Sequence, residues 1–284
     1  MTRFGRLGLA AAGVWILAAL PGPLWGQARP AVAVDVAVDS RYVWRGITRR
    51  DGWVLQPDAL AGAQWAWGSV SAGAWADIEL SRAEPASEEL GLGKALGEWN
   101  VWAQLERRFS LLDAPLDLAV GYVRYFVDRS AAAAVGTTAF NTGELYLDGR
   151  WRLRDLEPRA TLWYDIEEVK GAYAELGAAY RVPVFPLAVP SLYLRMVYGF
   201  SWGQAAGPDE GGYFGEDGLT HIVFSVEAPV FSPLSIGPLG SLYATPSLHF
   251  QVNLDDATRR QGRAPADLDR GNVWWGGLVL SWFW

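Results

Sequence analysis

The sequence predicts an all-β chain: a transmembrane, antiparallel, up-and-down β-barrel of about 12 strands. Three observations predict it. Apolar and polar residues alternate over successive stretches of about 10–14 residues, the period of a strand and close to the ~9–11 residues that cross a bilayer at a tilt. The links alternate between short, Pro-containing turns and longer polar loops, as in outer-membrane barrels. Tryptophans gather near strand ends, and the chain finishes Leu280-Ser281-Trp282-Phe283-Trp284.

Composition narrows the class further. The chain is 51% hydrophobic, has no cysteine and carries a net charge of −7. Zero cysteine excludes a disulfide framework, thiol catalysis and Cys-ligated metal, and the acidic balance argues against a nucleic-acid partner. Residues 1–28 read as a signal peptide: Arg3 and Arg6, an apolar run over 7–20, Pro21 and Pro23, then the small residues of Gly26-Gln27-Ala28. No other run reaches 18 apolar residues, so no helix is expected to span, and residues 29–284 form the barrel domain. Export places the mature chain in the Gram-negative cell envelope, with the outer membrane as its expected location.

The first strand is read over residues 31–46, with Val32, Val34, Val36, Val38, Tyr42 and Trp44 on one face and Asp35, Asp39, Arg41 and Arg45 on the other. The second and third, 57–67 and 70–80, form a hairpin around Gly68-Ser69, with Asp77 and Glu79 on the polar face of the third. The fourth, 98–109, sets Trp99, Val101 and Leu105 against Asn100, Glu106 and Arg108. The fifth, 116–128, alternates poorly and leaves Arg124 unassigned. The sixth, 143–153, opposes Leu145 and Leu147 to Glu144, Asp148, Arg150 and Arg152; the seventh, 158–167, opposes Leu162 and Tyr164 to Arg159, Asp165 and Glu167. The eighth to twelfth cover 172–182, 191–202, 219–230, 241–254 and 271–284, with Glu175, Arg181, Arg195, His221, Glu227 and His249 on polar faces.

Alternation does not say which face points inward. The tryptophans do. Trp65, Trp67, Trp151, Trp282 and Trp284 fall at one end of the apolar face and Trp44 and Trp202 at the other, the pattern of aromatic girdles at headgroup depth. The apolar face is therefore expected against lipid and the charged face in the lumen. Backbone groups in hydrocarbon must be paired, so the twelfth strand is expected to close on the first.

The segment Ser40-Arg41-Tyr42-Val43-Trp44-Arg45-Gly46-Ile47-Thr48-Arg49-Arg50-Asp51-Gly52 resembles the opening of the TorF family of outer-membrane porins, with Arg49-Arg50 in place of that family's polar pair and Pro57 where the family starts its next strand. Ala72-Gly73-Ala74-Trp75-Ala76 is similar to the family's third strand, and the match spans roughly residues 34–80. The resemblance implies a barrel with a porin role and supplies neither a substrate nor catalytic residues.

The candidate site is the lumen, lined by Asp35, Asp39, Arg41, Arg45, Asp77, Glu79, Glu106, Arg108, Asp148, Arg150, Asp165, Glu175 and Arg195. These groups either tune a passive channel for small solutes or ions, or ion-pair into a plug that makes the barrel structural or adhesive. A barrel hydrolase would use His221 or His249 with Ser225 or Ser247, but the sequence shows no third group at a nucleophile spacing. No catalytic residue, metal ligand or cofactor is expected. The expected partners are the lipid bilayer and lipopolysaccharide; Arg45, Arg49 and Arg50 could meet lipopolysaccharide phosphates at the outer surface, but a solvated loop is the favoured reading of those three. The assembly machinery would read the final strand, and small solutes would pass through the lumen.

Overall fold

The computed structural model of the chain describes residues 29–65, 68–80, 96–127, 141–184, 191–204, 213–235, 241–255 and 272–283. The expected signal peptide, Trp67, Trp284 and most of the polar segment 81–97 lie outside them. The strands are β1 (Arg29–Asp39), β2 (Tyr42–Trp44), β3 (Ile47–Arg50), β4 (Val54–Trp65), β5 (Gly68–Glu79), β6 (Leu96–Leu111), β7 (Ala114–Val127) and β8 (Gly143–Trp151). They continue with β9 (Leu156–Asp165), β10 (Ala172–Pro183), β11 (Ser191–Trp202), β12 (Gly218–Glu227), β13 (Val230–Ser235), β14 (Ser241–Asn253) and β15 (Asn272–Phe283).

Twelve of these strands close into an antiparallel barrel: β1, β4 to β12, β14 and β15. Consecutive barrel strands are neighbours all the way round. β1 is the seam, with Val34 in register with Ala59 of β4 on one side and Trp282 of β15 on the other. The short strand β13 carries on from β12 beyond Ala228-Pro229 and pairs with the opening residues of β14, Val230 opposite Ala244. Proline lacks the ladder donor, which is why the tenth spanning strand breaks there. Among the described residues every spanning strand has two partners, so none of them leaves a sheet edge to hydrocarbon.

Which side faces out is settled by burial. Val120, Leu145, Leu147, Leu176, Leu194, Leu248 and Leu278 are exposed on the outer surface, while Asp77, Glu98, Asp117, Glu144, Asp165 and Gln251 are buried inside. This inverts a soluble barrel and matches the expected one, lipid outside and polar lumen inside. At the long-loop end the outer girdle holds Trp202 beside Phe200, Trp274 beside Phe250, and Trp99 stacked on Phe126 at 3.9 Å. At the other end Trp151 donates its indole N–H to the Leu111 carbonyl at 3.2 Å. Trp65 departs from the expectation, being packed and only 7% exposed.

The turns at the short end are tight. Leu112 and Asp113 take φ of 52° and 60° to join β6 to β7, the left-handed pair that a two-residue hairpin needs. The fifth spanning strand, which the sequence left ambiguous, has Asp117 and Tyr125 inside and Val120 outside. The same alternation puts Arg124 outside, near the long-loop rim. It ion-pairs there with Glu167, which also accepts from the Tyr122 hydroxyl at 3.3 Å. Glu167 was expected in the lumen; its partners hold it on the outer side.

The largest departure concerns the first strand. It does not run to residue 46. β1 ends at Asp39, Ser40 hydrogen-bonds back to Gly276 through both its N–H and its hydroxyl, and the chain turns inward as the β2–β3 hairpin. Tyr42 and Trp44 are therefore in the lumen and not against lipid. Their even numbering kept the apolar alternation in phase across the two-residue break at Ser40-Arg41, which hid it.

Candidate functional site

The β2–β3 hairpin is built around Arg45-Gly46, with φ of 49° and 84° and Trp44 opposite Ile47. Only glycine fits at the tip. A Cβ on Gly46 would sit 2.5 Å from Nδ1 of His221, on the wall strand β12. The tip carbonyl of Gly46 accepts a 2.6 Å hydrogen bond from Gln251 of β14. The hairpin leaves the barrel at β1, backs its tip onto β12 and β14 a few strands away, and reaches β8 on the opposite wall through Arg45, so it crosses the lumen.

Three arginines of this segment anchor it, each to a different strand. Arg45 forms a forked pair with Glu144 of β8 at 2.6 and 2.7 Å, and both side chains are almost solvent-free. Tyr125 donates to the same carboxylate at 2.9 Å. The guanidinium lies 4.5 Å from the Trp44 ring, 4.5 Å from Tyr173 and 5.0 Å from Trp163, a cage that favours a cation. Burial works against the charge of Arg45, but the adjoining Glu144 carboxylate outweighs it and holds the group more basic than usual. Arg49 pairs with Glu98 of β6 at 2.9 Å and stacks over Trp44. Arg50 reaches Asp77 and Glu79 of β5, each at 3.5 Å. Burial first, then Glu98, push the Tyr42 hydroxyl well above its usual range, so it stays a neutral donor to Glu98 at 3.2 Å.

Above the hairpin tip, Ile47, Tyr173, Tyr213 and Phe214 form a buried apolar cluster. Tyr213 and Phe214 come from the loop between β11 and β12, so two loops meet inside the barrel mouth. Asp165, at the end of β9, accepts from the backbone N–H groups of Glu167, Glu168, Val169 and Lys170 at 3.0–3.4 Å and from Thr142 at 2.7 Å. Its carboxylate shapes a loop and does not line an open path.

The expected lumen residues thus divide. Arg45, Asp77 and Glu79 hold the hairpin, and Asp165 caps a loop. Arg41 lies at the rim, paired with Asp51 at 2.6 Å and bonded to the Trp274 carbonyl. Asp39 packs over Gly277, where any Cβ would collide with its carboxylate. Asp35 sits directly opposite Asp58 on the inner wall, and each has an oxygen without a hydrogen-bond partner among the described residues. Toward the short-turn end, Arg108 and Arg152 share Asp117 at 2.6 and 2.7 Å, and Arg159 pairs with Asp148 at 2.6 Å. Arg195 meets Glu227 at 3.4 Å, and Glu106 is half-buried on the same inner face.

In that lower half, the inner faces of β8 to β11 line an open cavity of about 160 Å³, bordered by Arg150, Arg159, Arg195, Glu157, Glu175 and Gly177. Tyr173 links the two halves: its ring lies under Arg45 and its hydroxyl donates to Glu175 at 3.0 Å.

These pairs correct the favoured reading of Arg45, Arg49 and Arg50 as a solvated loop, and its lipopolysaccharide alternative with it, because all three point into the barrel. Glu144 and Arg159 fall on the polar faces the sequence assigns to the lumen although they are not among the candidates named there, and Glu98 and Tyr173 are lumen residues that the strand readings do not name. The signal for the hairpin was present: residues 31–46 are longer than a spanning strand needs, and Arg45-Gly46 between Trp44 and Ile47 is a turn pair. As for the histidines, His249 holds Ser225 at 2.7 Å on Nδ1 and Ser247 at 3.0 Å on Nε2, which leaves no ring nitrogen for the carboxylate that orients a catalytic base. His221 bonds Thr220 at 3.0 Å and backs the hairpin tip. Among the described residues no cluster of three or more metal-binding side chains is present.

No family model matches the chain and no curated protein matches it, so the resemblance to the TorF family over residues 34–80 is not confirmed. Among solved structures the chain is similar to OccAB2 of Acinetobacter baumannii, at 8% identity over 93% of this chain and 99% of that one, TM-score 0.38. It is similar to the outer-membrane protein opdK of Pseudomonas aeruginosa, at 10% identity over 91% and 99%, TM-score 0.40. It is also similar to the KdgM porin in complex with disordered oligogalacturonate, at 8% identity over 89% and 98%, TM-score 0.40. The closure of the barrel stands on its own strand register and not on these likenesses.

Proposed function

We propose that the chain is a porin-type channel of the bacterial outer membrane, exported with its first 28 residues as a cleaved signal, which lets small solutes or ions diffuse through a lumen narrowed by the β2–β3 hairpin. One observation carries this reading. The barrel interior is not an apolar core: below the hairpin it is an arginine- and carboxylate-lined cavity of about 160 Å³. A barrel built only as a scaffold gains nothing from keeping ionised groups around a space it could fill with packed side chains. The short-turn end is the periplasmic side and the long-loop end the outer side, as the lengths of the links indicate. The Ser40–Gly52 resemblance to TorF porins supports the same reading.

A second reading has an observation of its own. The apolar cluster and the three arginine anchors fill the outer mouth, which suits a closed barrel whose loops are its working part. Planar-bilayer recording separates the two. Discrete single-channel steps from the purified protein are the expected result, and a silent bilayer after verified insertion would overturn the channel reading in favour of the closed one.

A further inference from the structure

The geometry points to a binding site for a small oxyanion-bearing solute, carboxylate or phosphate, in the cavity between Arg150, Arg159 and Arg195. The inference rests on the channel reading for its purpose but not for its geometry.

The cavity has a local cause. On the inner face of β10, Gly177 and Ala179 are small, while the strands on either side carry long side chains. Gly177 stands in register with Arg159 of β9 and Val197 of β11, and Ala179 with Glu157 and Arg195. The small residues make a floor, and the arginines rise around it.

The arginines are also poorly satisfied. Arg150 and Arg159 are direct cross-strand partners on β8 and β9, and like charges directly opposite each other destabilise a sheet pair. Arg159 is compensated by Asp148 at 2.6 Å. The other two are less so: Arg150 lies 3.8 Å from Glu157, beyond hydrogen-bond reach, and Arg195 is 3.4 Å from Glu227. Nε of Arg150 and Nε of Arg195 are buried with no hydrogen-bond partner among the described residues. Both unsatisfied atoms are donors, so the group that completes them is an acceptor. Buried polar groups are nearly always paired in native proteins, and such orphans call for an explanation.

The two side chains are 34% and 39% exposed, so their outer torsions are free to turn the guanidinium forks onto an oxyanion. Such forks match carboxylate and phosphate oxygens in pairs. An anion among the three would relieve the Arg150–Arg159 repulsion and satisfy the orphan donors together. Glu157 and Glu175 border the same space and set a limit on the charge it accepts, favouring small anions over polyanions.

The test is calorimetric titration of the folded full-length protein in detergent with succinate and, separately, inorganic phosphate. Saturable binding of at least one is expected, weakened ten-fold or more in Arg150→Gln/Arg195→Gln and, through loss of space alone, in Ala179→Leu. Succinate alone binding assigns the site to carboxylates, and phosphate alone assigns it to phosphate. No saturable binding of either, or equal binding by the double variant, overturns the site. The titration needs no conduction, so its failure is separate from that of the channel reading. Bilayer steps without binding would overturn the site and leave the channel, and binding without steps would do the reverse.

Discussion

The two halves of the lumen use the same residue types to opposite ends. In the outer half every arginine of the hairpin segment has a carboxylate of its own on the wall, and the best pair, Arg45 with Glu144, is buried, forked and ringed by aromatics. In the inner half the arginines crowd one another around an open cavity, and two keep a donor without a partner. A charged lumen is therefore not one thing. Pairing with excluded water makes a rigid constriction, whereas incomplete pairing around space makes a surface that can still exchange partners with a solute.

That contrast can be broken from the outer half first. Replacing Tyr42–Arg50 by a short Gly-Ser link removes the element that crosses the lumen. Bilayer recordings should then show a several-fold rise in single-channel conductance, since a path through a barrel scales with its narrowest section. Unchanged step size would mean that the hairpin does not narrow the path. The next effect is thermodynamic. Glu144→Ala leaves Arg45 buried without its partner, a loss of about 3–5 kcal/mol for a buried pair. The hairpin should leave its seat, and trypsin should cut after Arg45, Arg49 or Arg50 in the variant while sparing the wild type. The smallest effect concerns the outer half alone. Asp165→Ala frees four loop N–H groups and should lower stability against urea by about 1–3 kcal/mol without changing tryptic protection of the hairpin.

Much of the barrel was legible in the sequence because a membrane barrel writes its two environments into alternate residues. Leu145 and Leu147 against Glu144 and Asp148 already separate lipid from lumen, and the closure of β15 on β1 follows from the need to pair every backbone donor. The fifth strand resisted because Arg124 breaks the rule. It stays on the outer face near the rim, where Glu167 and the Tyr122 hydroxyl partner it. The hairpin was masked by phase, as Tyr42 and Trp44 continue the even-numbered apolar pattern although the chain has left the wall. Which lumen charges pair was beyond the sequence in principle. Arg45 and Glu144 are 99 residues apart and meet only because β1 and β8 lie on opposite sides of one ring. The Arg150–Arg159 juxtaposition is likewise a matter of register between two strands, and a shift of one residue would have sent one of them to lipid.

The division of the lumen into a tightly packed, narrowed outer half and an open inner half has a direct test, and the absence of cysteine from the chain makes it clean. One variant carries Ile47→Cys, on the hairpin and 2% exposed; the other carries Val197→Cys, on the cavity wall. Both are treated, folded in detergent, with a charged, water-soluble thiol reagent. The account predicts that Val197→Cys reacts rapidly and Ile47→Cys only when the protein is unfolded. Equal and rapid reaction at both positions would contradict it, because the hairpin would then not be seated in the barrel.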